Sequence, residues 1–367
     1  MADQNWVFDV STRFGKVSVE VHPGPHTDEL LAILMISHAA TKEFVEKHEG
    51  ETIGLGVEGG PYDEHPNSGQ SRKDGECTAT LVAKALGIYE HPAWRRLLRY
   101  AFWVDQGEPI PRLEDEGEKA YPEEWNHVFD VNNWLKCRWR QLVKANGIVP
   151  IDDGLKYVTF GLDMLRVFFY QQIEFIRAWE EIKKAGRKLI VQNQGREVSV
   201  LLINSDSSEI NAAARHFDRA DLVIKRGSRG HVQVFRNKQC RVGMDDLAQV
   251  LVVEECHRRG EDFAGNWEDL RKEGEDPTGV WYYYRPHGMI LNGSEQHQRQ
   301  PTAIADDDEL LRLVEIALSS DFKHSPFASV CMEGVCSDSS TAPCPLFQYG
   351  LGRCRKVRYE ERRRSRS

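Results

Sequence analysis

VSVEVHPGPHTDELLAILM, residues 17–35, decides the fold. Its first six residues alternate β-branched and polar side chains, the period-two pattern of a half-buried strand. Pro23, Gly24 and Pro25 end that strand, because proline lacks the amide a ladder needs and glycine favours turns. Leu30, Leu31, Ile33, Leu34 and Met35 then fall at the spacings of a buried helix. The hand-over from strand to helix carries His22, His26 and Asp28 within seven residues. Open α/β sheets bind ligands at the carboxyl ends of their strands, which is where this sequence gathers imidazole and carboxylate groups.

The same alternation continues outward. TIGLGV at 52–57 reads as a second strand, and EGGPYDEHPNSGQSRKDG at 58–75 carries every loop signal. ECTATLVAKALG at 76–87 reads as a helix ended by Gly87, and WRRLLRYAFWV as a further helix running into Asp105. Strands separated by helices predict an α/β fold with a parallel sheet. Residues 106–130 are acidic and rich in proline and glycine, an exposed excursion. A long helix over 161–185 carries Leu162, Leu165, Phe169, Ile173, Ile176 and Ile182 along one face and reads as a connector. Beyond it come the strand-like KLIVQ, VSVLLIN, DLVIKRG and HVQVFRN, with helical patterns near 208–217, over 244–259 and in DDELLRLVEIAL. The predicted organisation is a parallel-sheet domain over 1–150 and a second, smaller α/β domain over 160–320. A Cys-rich, basic extension follows over 321–367.

Composition narrows the function. With 40% hydrophobic and 29% charged residues the chain has the make-up of a globular protein. No run approaches the ~20 apolar residues that span a bilayer. The N-terminal MADQNWVFDVSTRFGK has no basic and apolar leader pattern, so a cytoplasmic location without membrane partners is expected. Cys77, Cys137, Cys240 and Cys256 are scattered and read as reduced thiols. Net charge is −9, but residues 353–367 hold eight Arg or Lys against two Glu, which leaves the remainder near −15. An acidic body argues against a long nucleic-acid track, whose affinity comes from phosphate neutralisation. A short substrate at a metal-filled cleft remains compatible, and the basic end reads as a solvated, disordered terminus.

His22, His26 and Asp28 are joined by a second cluster, Asp63-Glu64-His65, after the next predicted strand, and by Asp105. Such a set suits Mn²⁺, Fe²⁺ or Zn²⁺, and metals held there activate water and polarise a phosphoryl oxygen. A purely structural reading stays open, with Thr27 or Asp28 capping the following helix and YDEHP an ordinary polar loop.

At these residues the chain resembles the DHH phosphoesterase superfamily. The first motif of that superfamily, H-x-x-x-D-x-D, is matched in spacing by His22-Pro-Gly-Pro-His26-Thr-Asp28, with His26 in place of the first Asp. The Asp-His-His motif appears as Asp63-Glu64-His65. The most similar branch is the Myg-type (melanocyte-proliferating-gene) exonuclease family, whose motif H-x-G-x-F-H-x-D-E is approached by HPGPHTDE, one residue shorter. The resemblance covers roughly residues 15–110. It implies a metal-dependent hydrolase, using Mn²⁺ or Mg²⁺, that acts on short RNA or single-stranded DNA ends. His22, His26, Asp28, Asp63, Glu64, His65 and Asp105 would be ligands, with Asp63 and His65 also catalytic. The superfamily bridges two metals with an Asp after the second strand, and here Gly56 stands near that place with Glu58 two positions on. A weak second metal, strengthened by Gly56→Asp, is therefore expected. A phosphatase or pyrophosphatase of small molecules, or a non-catalytic binding protein of the same fold, are the alternatives.

Two further stretches carry expectations. The superfamily's second domain touches substrate with a Gly-rich, His-containing turn, which Arg226-Gly-Ser-Arg229-Gly-His231 resembles. That resemblance makes Arg226, Arg229 and His231 substrate-binding candidates, and a plain hairpin turn is the equal alternative. Cys331, Cys336, Cys344 and Cys354, spaced C-x4-C-x7-C-x9-C, have the residue type and number of a structural zinc site, or are four reduced thiols.

Overall fold

The structure, a computed structural model, describes residues 5–57, 59–64, 76–106, 131–146, 149–293, 299–336 and 344–366. Glu58, His65 and most of the acidic excursion expected over 106–130 lie outside the described residues. The chain divides into two compact units, Met1–Ile176 and Arg177–Ser367.

In the first unit, β1 (Trp6–Thr12) and β2 (Gly15–Val21) form an antiparallel hairpin, and β3 (Thr52–Gly54) pairs with β2 in parallel. The sheet is therefore mixed, which corrects the all-parallel expectation. Only Arg13 and Phe14 separate β1 from β2, and a connection that short permits only antiparallel pairing. Val17, Val19 and Val21 point into the core, as the alternation predicts. Helix α1 (Thr27–Ala39) is buried at every residue from Thr27 to Ile36, so it is a central helix with no solvent face. Around it stand α2 (Lys42–Lys47), α3 (Thr78–Ala85), α4 (Pro92–Gln106), α5 (Val131–Asn146) and the start of α6 (Ile151–Ala185). Gly161 of α6 lies against α1: a Cβ there would meet Leu30 Cδ1 at 2.6 Å. A side chain at this position would push the two helices apart.

The second unit holds a seven-stranded sheet in the order β4-β5-β6-β7-β10-β9-β8. Its strands are β4 (Arg187–Asn193), β5 (Arg196–Asn204), β6 (Leu222–Arg226), β7 (Val232–Arg236), β8 (Gly274–Glu275), β9 (Tyr282–Tyr284) and β10 (Met289–Leu291). Among these pairings only β5–β6 is parallel, and α7 (Ile210–Phe217) makes the crossover between them. α8 (Asp245–Arg258) is buried without a break from Leu247 to Cys256, and α9 (Asp307–Leu318) packs beside it. α10 (Ala328–Met332) and α11 (Gly352–Arg364) follow.

The C-terminal stretch is not the solvated terminus the composition suggested. Cys344, Leu346, Tyr349, Leu351 and Cys354 belong to the core of the second unit. The Gly352 amide donates to the Asp246 carboxylate, and the Gln249 side chain donates to the Tyr349 carbonyl. The basic residues of α11 drew the composition toward disorder, while these five buried residues anchor the stretch. No helix among the described residues is long and apolar enough to cross a membrane. Leu351 is fully buried, so Leu351→Ala is expected to lower stability by about 2–5 kcal/mol. A denaturant melt that leaves the second unit unchanged would refute this packing.

Candidate metal centre

The site is built where β2 ends and α1 begins. Val21 closes the strand, and the His22–His26 loop turns through Gly24 at φ +75°. A Cβ on Gly24 would lie 2.5 Å from the Trp139 ring, so the loop is pressed against α5 at its only side-chain-free position. The Tyr157 hydroxyl of α6 donates to the Pro25 carbonyl at 3.2 Å. The loop is thus fixed from both helices.

Two groups of three ligand atoms lie within 4.8 Å of one another among the described residues: His22, His26 and Glu29, and Asp28, Cys77 and Asp105. The structure therefore brings together His22, His26, Asp28 and Asp105, four of the expected ligands. Glu29 and Cys77 join them without having been expected. Asp105 is in the last turn of α4, not at a strand end. Asp63 and Glu64 fall in neither group. The Asp63 carboxylate accepts the Gly59 amide at 3.0 Å, and the Glu64 carboxylate accepts the Thr78 hydroxyl at 3.0 Å. Glu64 still stands close enough for its charge to act on both Asp28 and His22.

Glu29 organises the first group. One oxygen accepts the His26 amide at 2.7 Å, capping α1, and the other meets His22 Nε2 at 3.2 Å. The His22 and His26 rings lie edge to face, 4.9 Å between centroids. Burial pushes the Glu29 carboxyl up, but the His22 hydrogen bond and the charges of His22 and His26 outweigh it and hold the group ionised. In return, the hydrogen bond from Glu29 raises His22 above the usual histidine value.

Asp28 is in the opposite situation. It is 2% exposed, and its Oδ2 has no hydrogen-bond partner. Burial first, then the Glu29 and Asp105 charges, push its carboxyl well above the ordinary range. Burial and the Asp28 charge likewise raise Cys77, the N-cap of α3. An orphaned carboxylate oxygen, a second carboxylate and a thiol around one point form a donor set that fits a divalent cation, whose charge would stabilise all three ionised.

Gly56 is closely enclosed. Its φ is +60°, and a Cβ there would lie 2.5 Å from Glu29 Oε1. The space that a residue-56 side chain would enter is already filled by a carboxylate delivered from α1. Gly56→Asp would meet both a left-handed backbone and the Glu29 carboxylate. Glu29 was legible as the last residue of the DHH-like HPGPHTDE stretch, and its capping position concealed the second role. For Cys77 no sequence signal existed.

The 226–231 turn behaves differently. Arg226 is engaged: Nε donates to Asp307 Oδ1 at 2.7 Å and Nη1 to the Ile304 carbonyl at 3.1 Å, with both side chains largely buried. Arg226 thus forms an internal ion pair with Asp307, while its Nη2 is buried without a hydrogen-bond partner. Gly227 and His231 close a β6–β7 hairpin through Gly227 N–H to His231 O at 2.8 Å, and Arg229 at its tip is exposed.

No family model matches the chain, and no curated protein does. Among solved structures, an uncharacterized protein from Helicobacter pylori G27 aligns over 75% of this chain and 78% of its own, at 10% identity and a TM-score of 0.20. A superposition that loose establishes neither fold nor function.

Gly56→Ala is expected to destabilise the first unit by about 1–2 kcal/mol through the left-handed backbone alone. By displacing Glu29 it should also weaken Mn²⁺ binding. Unchanged melting together with unchanged Mn²⁺ affinity would show that Glu29 has room to spare.

Proposed function

We propose that the first unit is a divalent-metal phosphoesterase centre that hydrolyses phosphodiesters at the ends of short RNA or single-stranded DNA. The observation that carries the reading is buried Asp28, with an unpartnered Oδ2, grouped with Cys77 and Asp105 beside His22, His26 and Glu29. The resemblance of His22–Asp28 to the first DHH motif supports the same chemistry. Asp28, Asp105 and Cys77 would hold one ion, and His22, His26 and Glu29 offer a further set. Imidazole and thiolate donors favour Mn²⁺ over Mg²⁺, which prefers oxygen. When bound, the ion polarises a phosphoryl oxygen and acidifies water.

The chain's own residues do the positioning. Glu29 fixes the His22 ring and the entry of α1 in one contact set. His26, with 64% of its side chain exposed, stands at the rim where a substrate oxygen arrives. His65, the expected proton donor to the leaving oxygen, lies outside the described residues. A phosphorylated small molecule is the second substrate class, favoured by the charge near −15 outside the last fifteen residues.

Asp28→Asn tests the reading. It removes a ligand charge yet relieves a costly buried acid, so Mn²⁺ affinity should fall at least ~10-fold while the metal-free protein melts no lower than wild type. Mn²⁺-dependent cleavage of a short oligonucleotide should vanish with it. Intact metal binding and a lower melting temperature would instead make Asp28 a structural group. Turnover of nucleotides but not oligonucleotides would select the small-molecule class.

A further inference from the structure

Half of the chain's eight cysteines lie between residues 331 and 354. Cys331 is on α10, Cys336 follows it, Cys344 precedes a short 3-10 turn, and Cys354 is in the first turn of α11. All four line one small cavity, with Ser325 and Phe347 completing its wall. The Ser325 hydroxyl touches two of the thiols, 3.1 Å from Cys344 Sγ and 3.8 Å from Cys331 Sγ.

Charged groups of both signs surround the cavity: the Cys336 amide donates to the Glu361 carboxylate at 3.2 Å, and two arginines stand near Cys354. Burial pushes the Cys354 thiol up to about 11, and the Arg353 and Arg358 charges offset only part of that. Arg353 leaves Nε and Nη2 buried without a partner, and Arg358 leaves Nη2 so. Arg353 Nη1 donates to the Ile316 and Ser319 carbonyls and Arg358 Nε to the Cys354 carbonyl, but the remaining buried N–H groups have no acceptor, a costly arrangement. Beside four thiolates around a divalent cation, a cluster of net charge −2, the same donors face their complement.

We propose that Cys331, Cys336, Cys344 and Cys354 bind one structural zinc ion, with Arg353 and Arg358 balancing the charge of the tetrathiolate. Four cysteines are a complete ligand set for tetrahedral zinc, and binding ionises each thiol with release of its proton. In the metal-free geometry no three of the sulfurs lie within 4.8 Å of one another. Zinc–sulfur bonds of about 2.3 Å require edges of about 3.8 Å, so binding draws the cavity closed and turns the Ser325 hydroxyl out from between Cys331 and Cys344. The ion would tie α10 and the chain after it to α11. The proposal is independent of the metal centre in the first unit.

The test uses the full chain purified without chelators. One zinc per chain is expected by elemental analysis, retained in Asp28→Asn and Cys77→Ser and lost in Cys344→Ser and Cys354→Ser. Cobalt exchanged into the wild-type protein should show the intense visible bands of a tetrahedral site and a thiolate charge-transfer band, which keeps the proposal testable if the cysteine variants fold poorly. Arg353→Gln should release zinc to a competing chelator several-fold faster. Zinc retained in both Cys344→Ser and Cys354→Ser would overturn the proposal. So would four freely reactive thiols in a zinc-supplemented native protein, or a mass deficit showing these cysteines paired as disulfides.

Discussion

A helix buried along its whole length has no solvent to settle the charges it carries. α1 is buried from Thr27 through Ile36, and two of those residues are the carboxylic acids Asp28 and Glu29. The helix N-terminus offers some compensation, and so does the N-terminus of α3 at Cys77, which the fold brings to the same point. A terminus is worth about 0.3–2 kcal/mol to a nearby anion, against several kcal/mol for each ion taken out of water. The dipoles lose that comparison. Glu29 is settled by two imidazoles, and Asp28 is left to take up a proton or to meet a cation. The thiol of Cys77 and the carboxylate of Asp105 are gathered around Asp28.

Much of this was legible, because periodicity reports burial. The strand at 17–21, the helices near 78–85 and 92–106, and most strands of the second unit follow from it. β1 did not, since Trp6–Thr12 alternates apolar and exposed residues beside a charged turn and reads as an ordinary terminus. Its absence from the sequence reading produced the parallel-sheet expectation: without β1, the first strand meets only β3, and that pair is parallel. The C-terminal stretch failed for a related reason. Charge density speaks for the exposed side of a helix and is silent about Val357 and Cys354 on the other.

Site residues divide along a similar line. His22, His26 and Asp28 were readable because seven consecutive residues fix their mutual distance. The ion pair of Arg226 was not readable, because its partner Asp307 is 81 residues away and nothing local announces it. Cys77 joins Asp28 and Asp105 only through the packing of α3 and α4 on α1. Such groups are properties of tertiary contact, and a single sequence carries no record of them.

A carboxylate delivered from the helix is committed in ways that one delivered from the sheet would not be. A side chain at position 56 would approach from the end of β3 with no prior obligations. Glu29 comes with two: it caps α1 through the His26 amide and it pairs with His22. Two dications about 4 Å apart repel by roughly 16 kcal/mol at an effective dielectric of 20, and a bridging charge must offset most of that. Glu29 can turn toward a second cation only by surrendering the His22 contact that keeps it ionised. Asp28 has no such obligation, since its Oδ2 is unpartnered in a fully enclosed position. On the proposed reading, the Asp28–Cys77–Asp105 set would be the tighter, and the His22–His26–Glu29 set would depend on breaking an interaction the fold already uses.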